Sequence, residues 1–215
     1  MDDERDDDRI IKREWTEEDS KRYNKKVENR GHNIALEKVI KLLPPGEALE
    51  LGAGSGIDAA FLIKHGWTVT AEDVIKGNKL EILRRLNKEE KDRLIFSGDS
   101  FKDFKFEKEK YNFVYGYFSL SFCEKEFFPE LVEKIANSLK PGGLFHGNLF
   151  GPRDGWAKKA DRKHMTFMNQ EQIRELFGKY FYMRDDALKE REYDAMQQNG
   201  TPKHWHVIWI SAKKK

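Results

Sequence analysis

Gly52, Gly54 and Gly56 stand at alternate positions between the run Ala48-Leu49-Glu50-Leu51 and the run Ile57-Asp58-Ala59-Ala60-Phe61-Leu62-Ile63. Glycines at this spacing let the backbone turn sharply and let a ligand approach without interference from Cβ atoms. The segment therefore reads as a short strand, a glycine turn and a helix. The first turn of that helix presents unpaired N–H groups and a partial positive charge. Such a turn suits an anionic group, either a pyrophosphate or an amino-acid carboxylate.

The rest of the chain alternates in the same way. Helical spacing from Thr16 to Leu43 is interrupted at Arg30-Gly31-His32, which predicts two helices, with Thr16 and Asp19 at the N-terminus of the first. Pro44-Pro45-Gly46 ends that stretch. Strands are predicted at 48–51, 67–72, 94–97, 113–117 and 144–149, and helices at 57–65, 79–86, 124–139 and 169–177. Pro141-Gly142-Gly143 reads as a turn. Strands separated by helices of this length argue for a parallel, doubly wound sheet. Phe181–Arg184 and His204–Ser211 are two further strands, joined by about twenty polar residues. With no helix between them they predict an antiparallel hairpin at one end of the sheet. The expected organisation is a mobile charged arm over residues 1–14 and one α/β domain over 15–215. Within that domain, 15–46 form an N-terminal helical cap and 151–168 a lid loop.

At 215 residues the chain is long enough to bury a core without a metal or disulfide staple. Net charge is +2 from 40 basic and 38 acidic residues, which supplies no broad basic field for nucleic acid. No apolar run approaches the length of a membrane span, and the acidic N-terminus has no signal-peptide character. Cys123 is the single cysteine and reads as a packing residue. A lone cysteine excludes an intrachain disulfide, so a cytoplasmic location is expected. Nothing in the sequence sets the oligomeric state.

Two residues decide which anion the glycine turn would hold. The dinucleotide fingerprint is G-x-G-x-x-G, yet its sixth position, counted from Gly52, is Ile57. Glu50, just before the first glycine, would repel a pyrophosphate but suits an ammonium. A ligand with both carboxylate and ammonium is an amino acid, and methionine is the amino-acid part of S-adenosylmethionine. Asp73, 21 residues beyond Gly52, is placed to accept the hydroxyls of a ribose. Asp99-Ser100-Phe101 follows the third strand and offers an acceptor and then an aromatic ring to an adenine. The acids at 50, 73 and 99 lie at the C-terminal ends of three successive strands, the edge where such sheets bind ligands.

Residues 30 to 150 resemble a class I S-adenosylmethionine-dependent methyltransferase. The matching pieces are Glu50–Gly56, Val69-Thr70-Ala71-Glu72-Asp73, Gly98-Asp99, Tyr111–Ser119 and Leu139-Lys140-Pro141-Gly142-Gly143-Leu144. The resemblance implies a Rossmann-like, seven-stranded, mostly parallel sheet with its last strand antiparallel. It also implies Glu50 near the methionine ammonium, Asp73 on the ribose and Asp99 on the adenine amine. The expected cofactor-binding set is Glu50, Gly52, Ala53, Gly54, Gly56, Asp73, Val74, Asp99, Ser100, Phe101, Tyr117 and His32. Gly31-His32 is similar to small-molecule methyltransferases of the tellurite-resistance and thiopurine type.

Methyl transfer is an in-line displacement on an activated sulfonium, so positioning and water exclusion can suffice without a fixed catalytic residue. Tyr117-Phe118-Ser119-Leu120 replaces the Asn/Asp-Pro-Pro-aromatic turn of amino-methylating nucleic-acid enzymes, and Cys123 follows Phe122 where cytosine C5 enzymes have Pro-Cys. A small-molecule acceptor is therefore expected. The N-terminal helices and the 151–168 loop would close its pocket, while Tyr23 and His32 would cover the cofactor. Arg153, Trp156 and His164 are the loop residues placed to contact the acceptor. His204 and His206 share one strand face, but no third ligand is evident and no metal is expected. The alternative functions are a non-catalytic S-adenosylmethionine-binding module and an NAD-dependent dehydrogenase; turnover and relative NAD affinity separate them.

Overall fold

The computed structural model describes residues 16–159, 164–197 and 200–215. The arm expected over 1–14 lies outside them, as do residues 160–163 of the expected lid loop.

Helix α1 (Glu17–Val27) opens on a reciprocal cap. Thr16 Oγ1 accepts the Asp19 N–H at 3.3 Å while the Asp19 carboxylate accepts the Thr16 N–H at 3.1 Å. Helix α2 (Ala35–Leu42) follows after the predicted break. Strand β1 (Glu47–Leu51), helix α3 (Ile57–Lys64), strand β2 (Thr68–Glu72) and helix α4 (Asn78–Arg84) then form the first alternating units. Strands β3 (Leu94–Ser97), β4 (Tyr111–Gly116) and β5 (Leu139–Phe150) continue the sheet, with helix α5 (Phe128–Ser138) between the last two. Helix α5 begins four residues later than the sequence predicts, because Pro129 fits only the first turn. Helix α6 (Gln170–Phe177) is capped by Asn169, whose side chain and that of Gln172 exchange backbone hydrogen bonds.

Four residues of β1 and four of β2 are buried, as expected of strands covered on both faces. On one face Leu36, Val39, Ala59, Leu62, Ile63 and Ile82 of α2, α3 and α4 pack on Ala48, Val69, Phe113 and Tyr115. On the other, Leu131, Val132 and Ile135 of α5 and Ile173 and Phe177 of α6 pack on Leu49, Leu51, Val114 and Phe145. Strands β1 to β5 pair in parallel in the order β3-β2-β1-β4-β5.

The C-terminal part differs from the sequence reading. Pro141-Gly142-Gly143 lies inside β5, where the register against β4 slips, and is not a free turn. Gly142 has φ +74°, and a Cβ at Gly143 would sit 2.9 Å from the Lys140 carbonyl oxygen. The polar stretch expected to join two strands contains a third. After β6 (Phe181–Tyr182) come β7 (Leu188–Met196) and β8 (Pro202–Lys214), and the hairpin is β7–β8. Strand β8 is antiparallel to β5, and β6 and β7 successively occupy its outer edge. The sheet is thus seven positions wide, with the last position shared by two strands. β7 escaped the sequence reading because it is exposed from Glu192 to Met196 and carries charges where a buried strand would carry apolar residues. No described helix is long and apolar enough to cross a membrane.

Candidate active site

The glycine turn leaves β1 at the C-terminal edge of the sheet. Gly52, Gly54 and Gly56 all have positive φ, at +73°, +51° and +68°. Two of them are also packed against the protein itself. A Cβ at Gly52 would meet Ser119 Cβ at 2.4 Å, and one at Gly56 would meet Ile82 Cγ1 at 2.1 Å. At Gly54 a Cβ would meet Tyr23 Cε1 of α1 at 3.7 Å, an ordinary van der Waals contact, so no described atom would collide with it. The crevice there is lined by Glu50, Gly52, Ala53, Gly54, Asp58 and Tyr117, with Tyr23, Arg30, Ser55, Ile57 and Phe118 around them.

The acids around the turn are buried. Glu50 and Asp58 are each 5% exposed, and burial is the main cause raising both carboxyls above the usual range. Asp58 and Asp73 add like-charge repulsion at Glu50, whose pKa is raised well above the usual value. The Tyr115 hydroxyl and the Ala59 backbone N–H oppose part of that rise, although Glu50 Oε2 and the Tyr115 hydroxyl make no well-aligned hydrogen bond. Asp58 accepts the Asn33 N–H at 2.7 Å. Asp73 accepts the N–H groups of Gly54 at 2.7 Å and Ile75 at 2.8 Å; burial raises its carboxyl, and those bonds oppose the rise. Strand β2 ends on Glu72, one residue before Asp73. Glu72 is 1% exposed, its pKa is also raised by burial, and it accepts the Gly52 N–H at 3.1 Å.

Glu72 and Asp58 were not singled out from the sequence. Asp58, in the first turn of the helix after the turn, was the readable signal, since that is where an acid meets the helix dipole. Glu72 was hidden beside Asp73.

Val74, Asp99, Ser100 and Phe101, also expected at the cofactor, do not line the crevice. Val74, directly after Asp73, is half exposed. Asp99 lies two residues past β3, exposed, and accepts Ser97 Oγ at 2.5 Å. Ser100 donates to Asp103, and Phe101 packs against the core. His32 stacks on Phe61 with ring centroids 3.7 Å apart and does not line the crevice.

Residues 48–143 match the family model described as a methyltransferase domain. That match covers somewhat less than half of the chain and takes in β1 to β4, the strands that carry the glycine turn. No curated protein matches the chain in sequence. Among solved structures it is similar to TehB from Haemophilus influenzae, with TM-score 0.68 and 17% identity over 90% of this chain and 66% of that one. It is similar to Haemonchus contortus phosphoethanolamine N-methyltransferase 2 in complex with phosphomonomethylethanolamine and S-adenosylhomocysteine. There the TM-score is 0.66 and the identity 18%, over 93% of this chain and 57% of that one. A third is the Burkholderia thailandensis 1,6-didemethyltoxoflavin-N1-methyltransferase, with bound 1,6-didemethyltoxoflavin and S-adenosylhomocysteine. It has TM-score 0.54 and 16% identity, covering 80% and 72% of the respective chains. The chain thus spans less than two thirds of the first two relatives' lengths.

The loop residues expected to contact an acceptor do not line the crevice. Arg153 reaches the β7–β8 hairpin, where its guanidinium bonds Glu190 at 2.6 Å and also Glu192. Trp156 is 7% exposed and forms, with Phe150 and Trp205, an aromatic box around the Lys203 ammonium, at 4.0, 4.5 and 3.5 Å from the ring centroids. Asp154, equally buried, closes the box at 2.7 Å from Lys203 Nζ. His164 is exposed. The carboxylates that the two histidines lacked in the sequence reading come from β7: Glu190, Glu192 and His206 converge. Arg153 sits among them, and its backbone N–H donates to His206 Nδ1 at 3.0 Å. That bond places the ring proton on Nε2, which faces Glu190 at 2.5 Å and offers no lone pair to a cation.

Proposed function

We propose that the chain transfers the methyl group of S-adenosylmethionine to a small-molecule acceptor. The observation that carries this reading is the charge of the crevice. Glu50, Asp58 and Asp73 surround a glycine turn; exposed Arg30 offsets part of the charge at Asp58, but among the described residues no buried cation stands beside Glu50. A buried carboxylate without a partner is costly, so the site suits a ligand that brings positive charge. S-adenosylmethionine carries an ammonium and a sulfonium, whereas the pyrophosphate of a nicotinamide dinucleotide would add like charge.

In this reading Glu50 holds the methionine ammonium and the open backbone at Gly54 faces the ligand. Asp73 holds the ribose hydroxyls, while Asp99, Val74 and Phe101 flank the adenine. When bound, the cofactor supplies an activated methyl group. The protein's own part is to bind, to orient the acceptor and to keep water out. The small molecules bound beside S-adenosylhomocysteine in the Haemonchus and Burkholderia structures support an acceptor of that size. Arg153, Trp156 and His164 would then act by holding the 151–168 loop in place as a wall of the acceptor site. The single cysteine supports a cytoplasmic location.

Calorimetry with S-adenosylhomocysteine tests the assignment. Asp73→Ala is expected to weaken binding at least tenfold, since charge-assisted bonds contribute about 1.5–3 kcal/mol each. An unchanged dissociation constant would remove Asp73 from the site. Tighter binding of NAD than of S-adenosylmethionine would overturn the cofactor assignment.

A further inference from the structure

Beyond the cofactor crevice, one face of the sheet carries three half-buried rings that the cofactor does not account for. Tyr117 follows β4, His146 lies in β5 and Trp209 in β8. Their ring centroids are 5.4 Å apart for Tyr117–His146 and 5.9 Å for each pair with Trp209, so they form one continuous surface. The Tyr117 hydroxyl and His146 Nδ1 share a hydrogen bond of 3.0 Å, which fixes both rings. Phe118 stands edge-on to Trp209 at 5.7 Å, held in a left-handed conformation at φ +57° that is unusual for a bulky residue. Tyr117 and Phe118 also line the crevice, so the aromatic surface is continuous with the cofactor site.

The polar groups of this surface are few. Asn148, on the same face of β5 and opposite Trp209 in register, accepts the Phe118 N–H at 2.9 Å, while its own Nδ2 is buried without a partner. Exposed Lys189 lies across from Trp209 on β7, and exposed Lys38 comes from α2. Both lower the His146 pKa, although burial is the larger cause; together they bring it to about 4, so the imidazole is neutral at pH 7. The acids nearest Tyr117 are Glu50 and Asp58, and they face the crevice that a cationic cofactor would fill. On the acceptor side the field is therefore positive and the surface aromatic.

We propose that Tyr117, His146 and Trp209 form the floor of the acceptor site and that this floor takes a flat aromatic or heteroaromatic ring bearing an ionisable O–H, N–H or S–H. The rings are inclined to one another by 75°, 54° and 32°, so a flat ring lies against one and meets the others edge-on, and the Lys38 and Lys189 charges favour the anion it forms as its proton leaves. The same charges oppose an alkylammonium, which the ring faces alone would attract, so the lysines decide between the two acceptor types. The proposal rests on the methyl-transfer reading above.

The test uses 2-naphthol and cyclohexylamine as probes, added to the protein saturated with S-adenosylhomocysteine. 2-Naphthol is expected to bind and to shift the Trp209 indole N–H signal in NMR, while cyclohexylamine binds at least tenfold more weakly. Trp209→Leu is expected to weaken 2-naphthol at least tenfold with S-adenosylhomocysteine affinity unchanged. If that variant does not fold, the indole shift in the wild-type protein decides. An unmoved Trp209 signal, or cyclohexylamine binding as tightly as 2-naphthol, overturns the floor. Failure of S-adenosylhomocysteine to bind overturns the methyl-transfer reading itself, which keeps the two failures apart.

Discussion

Glu50 shows how a residue proposed to hold a ligand weighs on the fold that carries it. Its carboxyl is held above the usual range by burial and by Asp58 and Asp73. The sign of the linkage follows from that direction. The cost of the charged form is absent below the ordinary carboxyl range and grows as pH rises through it, so at pH 7 the ligand-free protein bears it. Glu50→Gln is therefore expected to stabilise the ligand-free protein, by about 0.5–2 kcal/mol, or about 1–8 °C in Tm for a chain of this length. The same variant is expected to lose at least tenfold in S-adenosylhomocysteine affinity. Thermal melts and calorimetry check both; a variant both less stable and equally tight in binding would contradict the assignment of Glu50. Glu50 and Asp73 were legible in the sequence because they sit at fixed offsets from the glycines. Asp58 and Glu72 were not, because each needs the fold to bring it against that turn. The rings at 146 and 209 were illegible for the same reason, being distant in sequence and joined only by the β5–β8 register.

The elements repeat the lesson with different causes. Helices with local stop and start signals, such as the Thr16–Asp19 cap, the break before α2 and the Asn169 start of α6, were readable from a few residues each. Strand β7 was not, since an edge strand facing water has no apolar period to read. Its partner strand also explains why two cations near the 151–168 loop differ in consequence. Lys203 is 2% exposed and paired with Asp154 inside an aromatic box. Lys203→Met leaves the Asp154 charge buried and alone, which is expected to cost about 3–5 kcal/mol in denaturant unfolding. Adding Asp154→Asn should restore much of that loss. Arg153 is 59% exposed, and although its pairing with Glu192 holds that carboxyl down to about 2, the pair is screened by solvent. Arg153→Ala is expected to change Tm by no more than about 2 °C, less still in high salt. Equal losses from the two substitutions would show that burial is not what separates them.

On the scale of the whole molecule the site joins parts that are far apart in the chain. α1 is tied to α4 by Ser20 and Asn24 on Asn78 and by Glu17 on the Gly77 N–H. α1 also lays Tyr23 over the glycine turn between β1 and α3. A ligand seated there touches the cap, three strand ends and the start of α3 at once, so binding should stabilise the molecule as a unit. S-adenosylhomocysteine at 100 times its dissociation constant is expected to add about 2.7 kcal/mol, or about 5–11 °C in Tm. A single, sharper melting transition in its presence is the expected form; a shift confined to one of two transitions would mean that the cap and sheet unfold separately. The α/β class and the parallel sense of the first five strands were accessible from alternation, whereas their order and the edge of the sheet depended on pairings between residues with no local signature.

The three glycines of the turn answer to different masters. Gly52 and Gly56 are closed in by Ser119 and Ile82, so a methyl group at either would collide with the protein whether or not anything is bound. Gly54 has no such neighbour, and only its backbone angle and the molecule it faces speak for it. In a descendant that kept the fold and abandoned the chemistry, drift would begin at position 54 and spare 52 and 56. That order of decay would make the middle glycine a fossil indicator of lost activity.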